Sequence, residues 1–139
     1  MSQESEEVYR RSADAWTRGA LHDWLSDVTP EWEWRTSGVF PGLQPVYRGR
    51  DGARDLWRDM RGPWEEFSVD IERLVDLGDM LLALITFCVR GRDGIETRRR
   101  WAHVVTYRNG MPAVTENYES WADALEAVGL SEQDAHADS

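Results

Sequence analysis

The chain has no lysine; all sixteen of its basic residues are arginine, set against 26 acidic ones, for a net charge of −10 over 139 residues. That balance argues against a nucleic-acid binder, because neutralisation of phosphates dominates such affinity. Cysteine is nearly absent: Cys88 stands alone, so no disulfide forms within the chain, and its apolar surroundings suit a structural thiol better than a nucleophile. No Cys/His cluster has zinc-ligand spacing, and no glycine pattern resembles a phosphate cradle, so neither a metal nor a cofactor is expected. No window approaches the ~20 apolar residues of a membrane span. The opening MSQESEEVYRR is too acidic and polar for a secretory signal, so the expectation is a cytoplasmic protein that meets no membrane. There is no internal repeat.

Tryptophan, by contrast, is abundant. Trp16, Trp24, Trp32, Trp34, Trp57, Trp64, Trp101 and Trp121 make eight, more than a core of this size needs. Some must pack the interior, but flat apolar walls are also what a cavity for a small hydrophobic ligand requires.

Periodicity divides the chain into elements. Ser2–Arg18 and Leu21–Asp27 have helical stripes, the first ended by Gly19 and the second stopped by Pro30. Glu31–Thr36 alternates as a strand with Trp32, Trp34 and Thr36 on one side. Ser37–Tyr47, with Gly38, Pro41, Gly42 and Pro45, reads as a loop long enough to act as a lid. Arg50–Arg61 is a third helix with Ala53, Leu56, Trp57 and Met60 on one face and Asp51 as its expected N-cap. Phe67–Leu77, Met80–Arg90 and Glu96–Tyr107 follow as a strand meander. Asn109-Gly110 is a strong hairpin signal joining the last of these to a strand ending at Tyr118. Trp121–Val128 is a short closing helix, and Ser131–Ser139 is a polar tail expected to be disordered. Helices grouped ahead of antiparallel strands give an α+β class, expected as one domain over residues 1–130.

In the Glu96–Tyr107 strand, Trp101, His103, Val105 and Tyr107 share a face. His103 is its titratable member: either a satisfied core histidine or an acid–base group at the floor of a pocket. The hairpin register decides its partner. A three-residue loop places it opposite Thr115, with Asn117 opposite Trp101; a two-residue turn places it opposite Glu116 and would make a His–Glu pair.

Two stretches, VYRGRDGARDLWRDM at Val46–Met60 and VVTYRNGMPAVTENYESWADALEAVGL at Val104–Leu130, resemble the SnoaL-like branch of the nuclear-transport-factor-like superfamily. The resemblance runs from Glu6 to Leu130. It implies a cone-shaped roll, a curved, mostly antiparallel mixed sheet wrapped around three N-terminal helices with a short C-terminal helix. It also implies a deep apolar pocket and a homodimer formed through the sheet. Function does not follow from that fold. Carried over from the ketosteroid isomerases, the general base falls on or near Thr36, the helix tyrosine near Ser12 and the late-strand aspartate on His103. Thr36 cannot abstract a proton, so that apparatus is incomplete. The Asp-Arg-Asp set of the epoxide hydrolases cannot be placed. What remains is a pocket for a small hydrophobic molecule, lined by Trp32, Trp34, Thr36, Trp57, Met60, Trp101, Val105, Tyr107, Thr115 and Asn117. His103 is its candidate acid or base on a carbonyl or polycyclic substrate, and a non-catalytic binding or dimerisation domain is the alternative.

Overall fold

A computed structural model describes residues 2–36 and 42–131. Residues 37–41 of the expected loop lid, and all but Ser131 of the tail, lie outside them. Helix α1 covers Ser2–Arg18 and α2 Leu21–Leu25; strands β1 (Glu33–Arg35) and β2 (Val46–Arg48) precede α3 (Gly49–Arg61). Strands β3 (Glu66–Asp76), β4 (Met80–Arg90), β5 (Glu96–Arg108) and β6 (Met111–Tyr118) lead to α4 (Trp121–Ala127). The six strands lie in the order β2-β1-β6-β5-β4-β3, all pairs antiparallel except β1 with β6. The result is the curved, unclosed mixed sheet of an α+β roll.

Two local readings are corrected. Val46 and Tyr47 belong to β2 rather than to the loop, because β1 pairs with them: Trp34 faces Tyr47 and Arg35 faces Val46. Asp51 does not cap α3. The helix starts two residues earlier at Gly49, whose φ of +66° makes the turn out of β2 and leaves Asp51 inside the first turn, where its charge still favours the helix dipole.

The alternating side chains of the strands separate two packed layers. On the inner face, α1 lays Val8 and Tyr9 against Leu81, Ala83, Ile85, Trp101, Val105 and Tyr107. A second inner cluster joins Trp16, Trp24, Trp32, Tyr47, Leu56 and Phe67, closing the end of the roll where the three helices meet β1 and β2. On the outer face, α4 seats Ala124 and Leu125 on Val75, Leu82, Ala102 and Val104. Ser120 caps α4 by accepting the Asp123 amide at 3.0 Å. Val104 on the outer face is thus covered by the chain's own last helix.

The hairpin register matches neither expected pairing. Asn109 and Gly110 both have positive φ, 54° and 78°, as a two-residue type I′ turn requires. Arg108 then faces Met111 and Tyr107 faces Pro112, but Thr106 faces Val114. The extra residue, Ala113, is a β-bulge, and it shifts every pair beyond it by one. His103 therefore lies opposite Asn117, and Glu116 opposite Val104 on the outer face.

Candidate functional site

The inner layers leave a cavity of about 90 Å3 between α1, β1 and the middle of the sheet. From α1 come Tyr9, Ser12, Ala13 and Trp16, residues at i, i+3, i+4 and i+7 and hence on one helix face. Trp24, Trp32 and Trp34 enter from α2 and β1, Met60 from α3. The sheet adds Phe67, Val69, Ile85, Phe87, Trp101, His103, Val105, Tyr107, Pro112, Thr115 and Asn117. No Asp, Glu or Arg is among the described residues that line it.

Nine of the residues singled out from the sequence thus border one space: Trp32, Trp34, Met60, Trp101, His103, Val105, Tyr107, Thr115 and Asn117. Two do not. Trp57 stands behind the wall, its ring 4.5 Å from Trp16 and 5.7 Å from Trp24 between centroids. Thr36 turns its hydroxyl to the Gln44 carbonyl at 2.8 Å and braces the chain entering β2. The cavity is also smaller than the few hundred Å3 usual for small-molecule sites. The tryptophans pack on one another, Trp24 against Trp32 and Trp32 against Trp34, instead of standing around a void. For comparison, an apolar cavity of ~150 Å3 holds benzene. About 90 Å3 admits only a compact guest unless the walls move.

One polar chain crosses the cavity floor. The Asn117 amide nitrogen donates to the Arg35 backbone carbonyl at 2.7 Å. Its Oδ1 accepts from the Trp101 indole at 2.7 Å and lies 3.0 Å from His103 Nε2. The other imidazole nitrogen, Nδ1, is 2.8 Å from the Tyr9 hydroxyl. Asn117 is fully buried and His103 only 7% exposed, so these groups have little recourse to water. Burial lowers the His103 pKa to about 4, partly opposed by the hydrogen bond to Asn117. The imidazole is neutral at pH 7. Burial also pushes the Tyr9 phenol far above its ordinary range, with a contribution from Tyr107, so its proton stays in place. The Trp34 ring stands edge-on to His103 at 5.0 Å, and its buried indole N–H finds no acceptor among the described residues.

Carboxylates stay away from this chain. Glu116 takes an ion pair from Arg35 at 3.1 Å and a hydrogen bond from the Tyr118 hydroxyl at 2.7 Å. Asp27 is held by a two-point contact from Arg11, at 2.7 and 3.0 Å. A larger groove of about 320 Å3 lies elsewhere, over Arg61, Glu65, Glu66, Arg90 and Glu96. Arg90 there is engaged by Glu66 at 2.6 Å and Arg61 by the Trp16 carbonyl at 2.8 Å, so the aromatic cavity is the better site. Of the lining residues that sequence reasoning passed over, Tyr9 is the one that bonds to His103. It sat in the recognised α1 stripe, but nothing in the spacing says which sheet residue it meets.

Residues 9–115 match the SnoaL-like domain family, and the chain belongs to it. No curated protein matches the sequence. Among solved structures the chain is similar to TerC co-crystallised with polyporic acid (TM-score 0.74, 18% identity, 88% of this chain and 96% of that one). It is similar as well to a ketosteroid-isomerase-like protein from Catenulispora acidiphila in complex with trimethylamine (0.71, 15%, 91% and 95%). A third is an LEH-like epoxide hydrolase of M. tuberculosis (0.70, 14%, 99% and 90%). At these identities the likeness is one of fold.

Proposed function

We propose that the chain binds a compact, neutral, mostly apolar molecule in the cavity between α1 and the inner sheet face. One observation carries this: the walls are aromatic and uncharged, and the polar groups at the floor are hydrogen-bonded to one another. An ion would have to leave water without a partner, which costs far more than the aromatic walls return. A neutral guest gives up little and gains contact with the tryptophan faces.

Acid–base catalysis is the weaker reading. His103 has no carboxylate among the described residues to orient it, and its bare nitrogen is already occupied by Tyr9. A confirmed turnover that drops 10²–10⁴-fold in His103→Gln while affinity holds would restore it.

The test is a titration of small neutral compounds followed by tryptophan fluorescence, with Ala13→Leu as the blocking variant. Ala13 lines the cavity from α1, so the added atoms occupy the guest's volume, at an overpacking cost of about 1–3 kcal/mol. Saturable quenching in the wild type, absent in folded Ala13→Leu, is the expected result. Equal quenching in both would place the guest elsewhere.

A further inference from the structure

The polar chain at the cavity floor has a direction, and the direction limits what the site recognises. The Arg35 carbonyl can only accept, so the nitrogen of the Asn117 amide must face it. That leaves Asn117 Oδ1 toward the Trp101 indole, which can only donate. The same oxygen meets His103 Nε2, so that nitrogen carries the imidazole proton. Nδ1 of a neutral imidazole is then bare. The Tyr9 hydroxyl, 2.8 Å away, must donate to it. The protons on Trp101 Nε1, on His103 Nε2 and on the Tyr9 hydroxyl are thus spoken for, and what Tyr9 has left is the second lone pair of its oxygen. Tyr9 is a hydrogen-bond acceptor toward the cavity it lines.

From this the geometry points to Tyr9 as the specificity-determining residue, selecting a neutral guest with an O–H donor, a small alcohol, over the matched ketone. The inference rests on the binding reading above. A ketone brings a second acceptor to the Tyr9 oxygen and cannot be paired there. An alcohol donates to it and completes the chain; the indole N–H of Trp34, unpartnered among the described residues, is open to the oxygen of either guest, so the difference between the two rests on Tyr9. His103 and Asn117 are positioning residues: His103 touches the guest's partner, Asn117 holds His103, and together they set which way the Tyr9 proton points.

The experiment compares 2-propanol with acetone, four-heavy-atom probes that suit a cavity of about 90 Å3. Each is titrated into protein labelled with 15N at tryptophan and read by the indole N–H resonances. The decisive quantity is the alcohol-to-ketone affinity ratio and its change between variants, which cancels the difference in hydration of the two probes. Tyr9→Phe is expected to lower that ratio roughly threefold to tenfold, the worth of one net hydrogen bond. His103→Gln is expected to keep most of it, because a glutamine amide can donate to Asn117 Oδ1 and accept from Tyr9 in the same sense. A 15N spectrum of labelled histidine supplies a measurement that needs no variant: His103 should carry its proton on Nε2. A ratio unmoved by Tyr9→Phe, a wild-type preference for the ketone that Tyr9→Phe abolishes, or a His103 protonated at Nδ1 overturns the inference and leaves the binding reading standing. If neither probe gives saturable shifts in the wild type, the binding reading falls and this inference falls with it.

Discussion

Strand β5 serves two faces that solve opposite problems. Its inner residues Trp101 and His103 are 1% and 7% exposed, and their polar atoms are paired with Asn117 and Tyr9 through neutral hydrogen bonds. On the outer side Ala102 and Val104 are sealed by α4, while Arg100 reaches into solvent and pairs with Glu72 at 3.0 Å. Neutral buried bonds contribute modestly when made and cost heavily when half of the pair is removed. Exposed ion pairs cost little either way. The inner face should therefore respond to truncation and to acid, the outer face weakly and to salt.

The sharpest way to break the comparison is Asn117→Ala. The change removes the acceptor for Trp101 Nε1 and His103 Nε2 and the donor to the Arg35 carbonyl. Each orphaned buried group costs about 1–3 kcal/mol, and the three are not additive, so a loss of about 3–5 kcal/mol is expected in urea denaturation. A loss below about 1 kcal/mol would mean that water reaches the floor of the cavity and that the neutral chain is not sealed.

That chain was only partly legible in the sequence. Alternation placed Trp101, His103, Val105 and Tyr107 together, because period two is a property of any strand. The helical stripe placed Tyr9, Ser12 and Trp16 together for the same kind of reason. What joined the two sets was not legible. The bulge at Ala113 sets His103 opposite Asn117, and a bulge has no reliable local signature where the residue is an ordinary alanine. Strand β2 was hidden because three residues beside a Gly/Pro loop show no periodicity; its pairing with β1 is a long-range event. The docking of α4 on the outer face was equally invisible, since an amphipathic helix does not announce which surface it will cover. For the tryptophans, type was informative and placement was not: a wall residue such as Trp32 and a packing residue such as Trp57 look alike in a sequence.

Acid is the second probe of the difference. A histidine in the unfolded chain titrates near pH ~6.5, and in the fold His103 titrates at about 4. Between those values the unfolded chain binds more protons, so stability rises with pH across the window. The contribution is complete above pH ~6.5 and is lost as the pH falls toward 4, for a total of about 3 kcal/mol. Denaturation midpoints taken from pH 4 to 7 should show this slope in the wild type and a flatter one in His103→Gln. Parallel slopes would assign the acid response to carboxylates and leave His103 out of it.

The smallest expected effect lies on the outer face. Arg100 holds the Glu72 carboxylate by two contacts at 3.0 and 3.2 Å, and the Thr86 hydroxyl donates to it at 2.8 Å. The Arg100 hydrogen bond, followed by that of Thr86, keeps the Glu72 carboxyl below its ordinary range. This contribution is present above the unfolded carboxylate's pKa and is lost as the pH falls through the folded one, from the acid end of the His103 window downward. Yet the Arg100 and Glu72 side chains are 68% and 35% exposed, so water and salt screen the pair. Glu72→Gln keeps the shape and a hydrogen-bonding oxygen but removes the charge. It should cost no more than ~1 kcal/mol at low ionic strength and less in 1 M salt, whereas the cost of Asn117→Ala should be the same in both. A Glu72→Gln penalty that rivals that of Asn117→Ala, or that ignores salt, would show that the outer network is as closed to solvent as the inner one, and the contrast between the two faces would have to be given up.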